Sequence, residues 1–246
     1  MLTLLAKYKL MVFAAVLLGA LGLGSAGVAA ANGGLPVALN VLAAHHGASS
    51  TPQGAAHGKR NPANGITHGS VITSVNGAYA TYTVDVGQVS AVSATSITLT
   101  RLDKQQVTLS ISANTVWGAH HTAPKNPSKL QGRRIVVFSQ NGAAIQIGRG
   151  NGLLKNAVHL DVTVIHNGKS REIQVDRGSV QNVSATAISV KRADGVTVSE
   201  PVAAKVRWIQ APHHTAIQPS QVSVGATVAI VSYQGKVIIV RLPAVD

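Results

Sequence analysis

Hydrophobic residues recur at every second position over long stretches of this chain. Tyr82, Val84 and Val86 alternate with polar neighbours, as do Ile97 and Leu99, and then Val107, Leu109 and Ile111. The period returns in Leu160, Val162 and Val164, in Ile188 and Val190, and in Val196 and Val198. A side-chain period of two, enriched in Val, Ile and Thr, predicts strands with one buried face. No stretch beyond the N-terminal region carries a convincing 3.6-residue period. Turn signals punctuate the strands. Asn76-Gly77 and Asn167-Gly168 suit a type I′ hairpin, whose two central residues both need positive φ. Asp194-Gly195 predicts a further turn of that kind, with Asp103-Lys104 in the equivalent place. Gly87 and Gly178 fall between strand-like runs, where a bend or bulge would close a barrel. Residues 128–132 and 220–225 each predict one short turn leading into a final hairpin.

The pattern is duplicated. A shift of 91 residues aligns 67–103 with 158–194 and gives 15 identities in 37 positions. These include Asp85 and Gly87 with Asp176 and Gly178, Arg101 with Arg192, and Asp103 with Asp194. At a shift of 93, His120-His121-Thr122-Ala123 matches His213-His214-Thr215-Ala216. The period is too long for a solenoid repeat and is the size of a small domain. The expectation is an all-β protein of two tandem small antiparallel β-barrel or sandwich domains, over 66–150 and 157–242, with six or seven strands each.

Residues 1–31 differ in kind. Lys7 and Lys9 precede an apolar run from Leu10 to Leu23, and small residues at 28–31 suit a signal peptidase. That is the pattern of a secretory signal peptide. The competing reading is an uncleaved anchor, since 10–31 is just long enough to span a bilayer. Residues 32–65, rich in Gly, Ala, Ser, Pro and His, read as a flexible linker. The protein is therefore expected to be exported, with membrane contact only through the N-terminal segment if it is retained.

The strand and turn residues resemble those of a group of secreted bacterial β-domains of unknown function. The resemblance rests on Val84-Asp85-Val86-Gly87-Gln88-Val89 with Ile97-Thr98-Leu99, and on Val175-Asp176-Arg177-Gly178-Ser179-Val180. It also rests on the endings over 130–137 and 222–230. It covers both repeats but not the linker, implies an exported β-protein, and carries over no catalytic residues.

Composition removes most chemistry. The 246 residues contain no Cys, which excludes disulfides, thiolate metal sites and a cysteine nucleophile. Only 8 Asp and Glu are present. Asp85 and Asp176 flank bend glycines, and Asp103 and Asp194 lie in turns, where Asx side chains bond nearby backbone N–H groups. Asp161, Glu172 and Glu200 are unassigned, and no pair suggests the converging carboxylates of a glycosidase. There is no Gly-x-Ser-x-Gly elbow, no His-Glu-x-x-His and no phosphate-binding glycine loop. No catalytic residue and no cofactor is assigned.

Two features point outward. The 10 histidines include the copied pairs His120-His121 and His213-His214, which are candidate ligands for a divalent transition metal. The plainer reading, and the one favoured, is a solvated loop copied with its domain: neighbouring histidines in extended chain face opposite ways, and no nearby carboxylate completes a shell. The second feature is charge, with 21 Lys and Arg giving +13, or +11 once Lys7 and Lys9 are removed with the signal. An exported cation suggests anionic envelope polymers as partners. The bases are dispersed, however, with Lys59-Arg60 and Arg133-Arg134 the densest groups. Few aromatics are available to stack bases, so sequence-specific nucleic-acid binding is not expected, and sugar-binding aromatic platforms are disfavoured for the same reason. Trp117 and Trp208, equivalent between the repeats, are expected in the core. The combined expectation is a non-catalytic structural, adhesive or interaction protein of the envelope or extracellular space. The alternative is a binding module for a metal or for anionic polymers.

Overall fold

The computed structural model describes residues 65–118, 124, 126–148, 153–154, 156–211 and 215–243. The expected signal segment, and the linker up to residue 64, lie outside them. The architecture is all-β, as the alternation predicts. The first half contributes β1 (Ile66–Val75), β2 (Ala78–Val92), β3 (Ser96–Arg101), β4 (Gln106–Ser110), β5 (Val116–Trp117), β6 (Arg134–Gln140) and β7 (Ala143–Ile147). The second contributes β8 (Ala157–His166), β9 (Lys169–Val183), β10 (Ala187–Arg192), β11 (Thr197–Gln210), β12 (Thr215–Ala216), β13 (Thr227–Tyr233) and β14 (Lys236–Leu242). Short 3-10 turns at Pro127–Leu130 and Pro219–Gln221 occupy the places where single turns are expected before the last hairpins. Among the described residues no helix is long and apolar enough to cross a membrane.

Strand pairing closes a ring in each half. In the second half β9 pairs with β10, β10 with β11, β11 in parallel with β14, β14 with β13, and β13 with β9. The first half repeats this through β2, β3, β4, β7 and β6, with β4 and β5 together standing where β11 stands. Five strands with one parallel closure make a small Greek-key barrel, which leaves no long open edge. Val89, Ile97, Leu99, Leu109, Trp117, Val137 and Ile147 fill the first ring. Val180, Ile188, Val190, Trp208, Val228, Ile230 and Val240 fill the second. Both tryptophans are buried, as expected.

The two halves share one sheet. β1 runs antiparallel to β8 from Ile66 opposite Val164 to Thr73 opposite Ala157. β1 also pairs with the first part of β2, and β8 with the first part of β9. A third core lies between the rings. It joins Val84, Val86, Val136 and Phe138 to Ile173, Val175, Ala229 and Ile239, with Val71, Leu160 and Val162 from the linking strands. The boundary expected near residues 150–157 is therefore crossed by both a hydrogen-bonded ladder and an apolar core.

The long strands β2 and β9 change partners midway. β9 pairs with β8 over Lys169 to Asp176, and with β10 over Gly178 to Val183. β2 passes from β1 to β3 between Asp85 and Gly87. Glycine stands at this handover because the neighbouring strand comes too close for a side chain. A Cβ on Gly178 would lie 2.2 Å from the Lys191 carbonyl oxygen, and one on Gly87 2.7 Å from that of Thr100. The expected I′ hairpins form at Asn76-Gly77 and Asn167-Gly168, with φ of 51° and 83°, and of 51° and 72°. Asp194-Gly195 departs from the expectation. The connection from β10 to β11 spans four residues, and of this pair only Gly195 has positive φ, while Asp194 turns its side chain to other work.

That work is an ion-pair bridge at the handover. In the second half, Arg192 donates from Nη1 to Asp176 Oδ1 at 2.9 Å, and from Nε and Nη2 to the two oxygens of Asp194 at 3.1 and 2.7 Å. His159 Nδ1 lies 2.7 Å from the same Asp176 oxygen. In the first half, Arg101 bonds Asp85 at 3.0 Å and Asp103 at 3.2 and 3.1 Å. Asp176 is paired across the sheet with the core residue Ile230, and Arg192 continues the alternation of Ile188 and Val190. Both therefore face into the ring and seal its end. Asp85 and Asp176 were expected as turn-type acids bonding nearby backbone. Instead they are buried, 2% and 1% exposed, and held by arginine because a buried carboxylate without a partner is too costly. Asp103 and Asp194 do accept backbone N–H bonds, from Gln105 and Val196, in addition to their arginines. Arg101→Ala and Arg192→Ala each leave an acid buried without its guanidinium. Each should cost about 3–5 kcal/mol in urea-induced unfolding, and a loss under about 1 kcal/mol would contradict the assignment.

Candidate functional site: a basic cleft where the halves meet

The four histidines singled out as metal candidates, His120, His121, His213 and His214, lie outside the described residues. Among the described residues no group of three or more His, Asp or Glu side chains is placed to hold a metal ion. His68 stands in β1 opposite Asp85. Its Nδ1 is 3.6 Å from Asp103 Oδ2, too long for a hydrogen bond. His159, its copy in β8, makes the short contact to Asp176. Asp161 and Glu172 lie on β8 and β9 in register with Ser70 and Thr163.

A cleft of about 710 Å³ opens beside the second handover. Two rows of side chains wall it. The first crosses the β1–β2 hairpin and the start of β8: Tyr79 is opposite Ser74, and the Ser74 N–H donates to the Asn156 carbonyl. The second crosses the outer face of the second ring, where Lys191, Ser179 and Thr227 stand in register on β10, β9 and β13. Arg177 completes the lining, with Arg192 and the 193–195 turn at one end. Among the described residues, three of the lining side chains are cationic and none is a carboxylate. The β1–β8 ladder creates this site, because it carries the tip of the first hairpin across to the second ring.

Electrostatics distinguish the cations. Burial lowers the pKa of Arg177, and the nearby Tyr79 phenol partly reverses the effect. Burial also depresses Arg192, but hydrogen bonds and charge from Asp194 and Asp176 outweigh it, so its pKa is raised and its charge is matched. Lys191 is exposed. An anion entering the cleft meets Lys191 and Arg177 with the hydroxyls of Ser74, Ser179 and Thr227 around them.

Comparison of the two copies locates what is new in the second. Arg177 stands where the first copy has Val86, a member of the shared core, and Lys191 where it has Thr100. Glu200 stands where the first copy has Leu109, and Leu109 is buried in its ring. Glu200 accepts a hydrogen bond from Ser232 Oγ and is half-buried. Sequence reasoning weighed the residues that the repeats share and overlooked Arg177, Lys191 and Tyr79. The available signal was the opposite one, a charge replacing an apolar or neutral strand residue in one copy only.

No family model matches this chain, and neither a curated protein nor a solved structure matches it.

Three acids contribute to the dependence of stability on pH. Burial raises the Glu200 pKa and nearby Asp176 adds to it, against the Ser232 hydrogen bond and His159. Folding then favours protonated Glu200, so its contribution is full below the ordinary value of 4.5 and is lost as pH rises through the folded value. Asp103 and Asp194 have the opposite sign. Burial pushes each up, but the Gln105 N–H with Arg101, and Arg192 with the Val196 N–H, hold them below the ordinary 3.8. Their contribution is present above that value and fades as pH falls. Thermal melting across pH 3–7 (roughly the titration range of these acids) should therefore peak near the ordinary carboxylate range. Glu200→Gln should flatten the decline on the alkaline side while leaving the acid limb intact. An unchanged alkaline limb would contradict the role given to Glu200.

Proposed function

We propose that this chain is an exported, non-enzymatic interaction protein of the cell envelope or extracellular space, and that it binds anionic polymers in the cleft between its two halves. The observation that carries the reading is the lining of that cleft, which among the described residues holds Arg177, Lys191 and Arg192 and no carboxylate. The net charge supports it, since +13, or +11 once Lys7 and Lys9 are lost with the signal, raises the local concentration of any polyanion near the surface. The volume also supports it, falling within the roughly 300–1,000 Å³ usual for ligand sites. Export rests on the N-terminal Lys-flanked apolar run with small residues at 28–31. The non-enzymatic reading rests on the pairing of the acids: Asp176 and Asp194 are engaged by Arg192, and Asp85 and Asp103 by Arg101. The two rings represent, on this reading, one duplicated unit in which the second copy acquired the binding residues.

Binding of dextran sulfate, followed by fluorescence polarisation at increasing salt, tests the reading. Affinity should fall linearly on a log–log plot, as counterion release requires. Lys191→Ala and Arg177→Gln should each weaken binding several-fold and reduce the salt slope by about one, with melting temperature as a check that the fold is retained. Binding insensitive to salt, or unchanged by both substitutions, would rule the cleft out.

A further inference from the structure

The cleft carries more than positive charge. Resting on the polyanion reading above, we infer that its ligand is an acidic polysaccharide, recognised one sugar ring at a time by an aromatic face, a cationic pair and a ring of hydroxyl and amide groups. Tyr79 is one of the few large apolar side chains left exposed among the described residues, at 40% exposure. It sits on the hairpin that the β1–β8 ladder brings against the second ring, and it lies close enough to Arg177 to shift that guanidinium. An exposed phenol ring beside a cation offers one flat apolar face and one charge. A uronate sugar presents the same two features, with C–H groups on one face of the ring and a carboxylate on its edge.

The remaining lining residues fit the rest of such a sugar. Ser74, Ser179 and Thr227 carry hydroxyls that both donate and accept, and Asn156 carries an amide. This is the complement of a hydroxyl-rich ligand. A polyphosphate chain has no donors to offer them and no apolar face for Tyr79. A single-stranded nucleic acid needs successive aromatic platforms to stack successive bases, and among the described residues the cleft lining holds one aromatic, Tyr79. Arg177 supplies a planar fork suited to a carboxylate edge, which a lysine cannot imitate. The two cations lie on different strands, Arg177 on β9 and Lys191 on β10, with Ser179 beside Lys191 in register. The contribution of the second half has no counterpart in the first: the positions of Arg177, Ser179 and Lys191 are Val86, Gln88 and Thr100 there.

Calorimetric titration of the full chain with three probes separates the two levels of the argument. The probes are an oligogalacturonate, the same oligomer with its carboxyls methyl-esterified, and inorganic polyphosphate of matched charge. The variants are Tyr79→Ala and Lys191→Ala, both at exposed positions, with thermal melting to confirm folding. The inference expects the oligogalacturonate to bind and the esterified oligomer to bind at least tenfold more weakly. It expects Tyr79→Ala to weaken oligogalacturonate about tenfold and leave polyphosphate unaffected, and Lys191→Ala to weaken both acidic probes. If polyphosphate binds as well as oligogalacturonate, or if Tyr79→Ala changes neither, the sugar is wrong while the polyanion site stands. If neither acidic probe binds, both readings fall together.

Discussion

A strand edge offers a single row of N–H and C=O groups, and each stretch of it serves one neighbour at a time. β2 and β9 each divide one edge between two neighbours, and everything else in this molecule depends on that division. The first part of β9 pairs with β8 and so joins the other half of the chain, while the second part pairs with β10 and closes a ring. The change of partner needs a bend, close backbone approach and something to fill the wedge between diverging strands. Gly178 permits the approach, and Arg192, held between Asp176 and Asp194, fills the wedge. The same parts recur at Gly87 and Arg101. The ion pairs sit where the ladder is interrupted, and they are buried because two layers of core meet there.

This arrangement explains why the rings pack as one body. Residues of β2 and β9 face their own ring at alternate positions, and the positions between them face outward. Val84, Val86, Ile173 and Val175 would be exposed if each half stood alone. The β1–β8 ladder covers them and joins both halves over one apolar layer. The cleft is a by-product of that joining, because the shared core runs out at Arg177, where the first copy continues with Val86.

Much of this was legible in the chain and some was not. Alternation and Asn-Gly turns predicted the strands, the two hairpins and units of six or seven strands, because backbone period and positive φ are local properties. Trp117 and Trp208 were placed correctly in cores because large apolar residues at matching strand ends have few alternatives. The copied Asp85, Arg101 and Asp103 were visible as identities between the repeats, yet the two aspartates read as turn-type acids and Arg101 received no role. Their true role depends on a contact between residues 16 apart, across a handover that no local pattern announces. The cleft was least legible of all, because Tyr79 and Lys191 belong to opposite halves and meet only through the β1–β8 register.

The central claim is that the residues which distinguish the second copy, with Tyr79 brought from the first, form one binding surface. Backbone amide shifts of the isotope-labelled protein, followed by nuclear magnetic resonance during titration with an acidic oligosaccharide, test it most directly. The account predicts saturable shifts concentrated at Ser74, Tyr79, Asn156, Arg177, Ser179, Lys191 and Thr227, with Val86, Gln88 and Thr100 of the first ring unmoved. Shifts spread over both rings alike, or confined to residues away from the β1–β2 hairpin and the β9 bend, would contradict it.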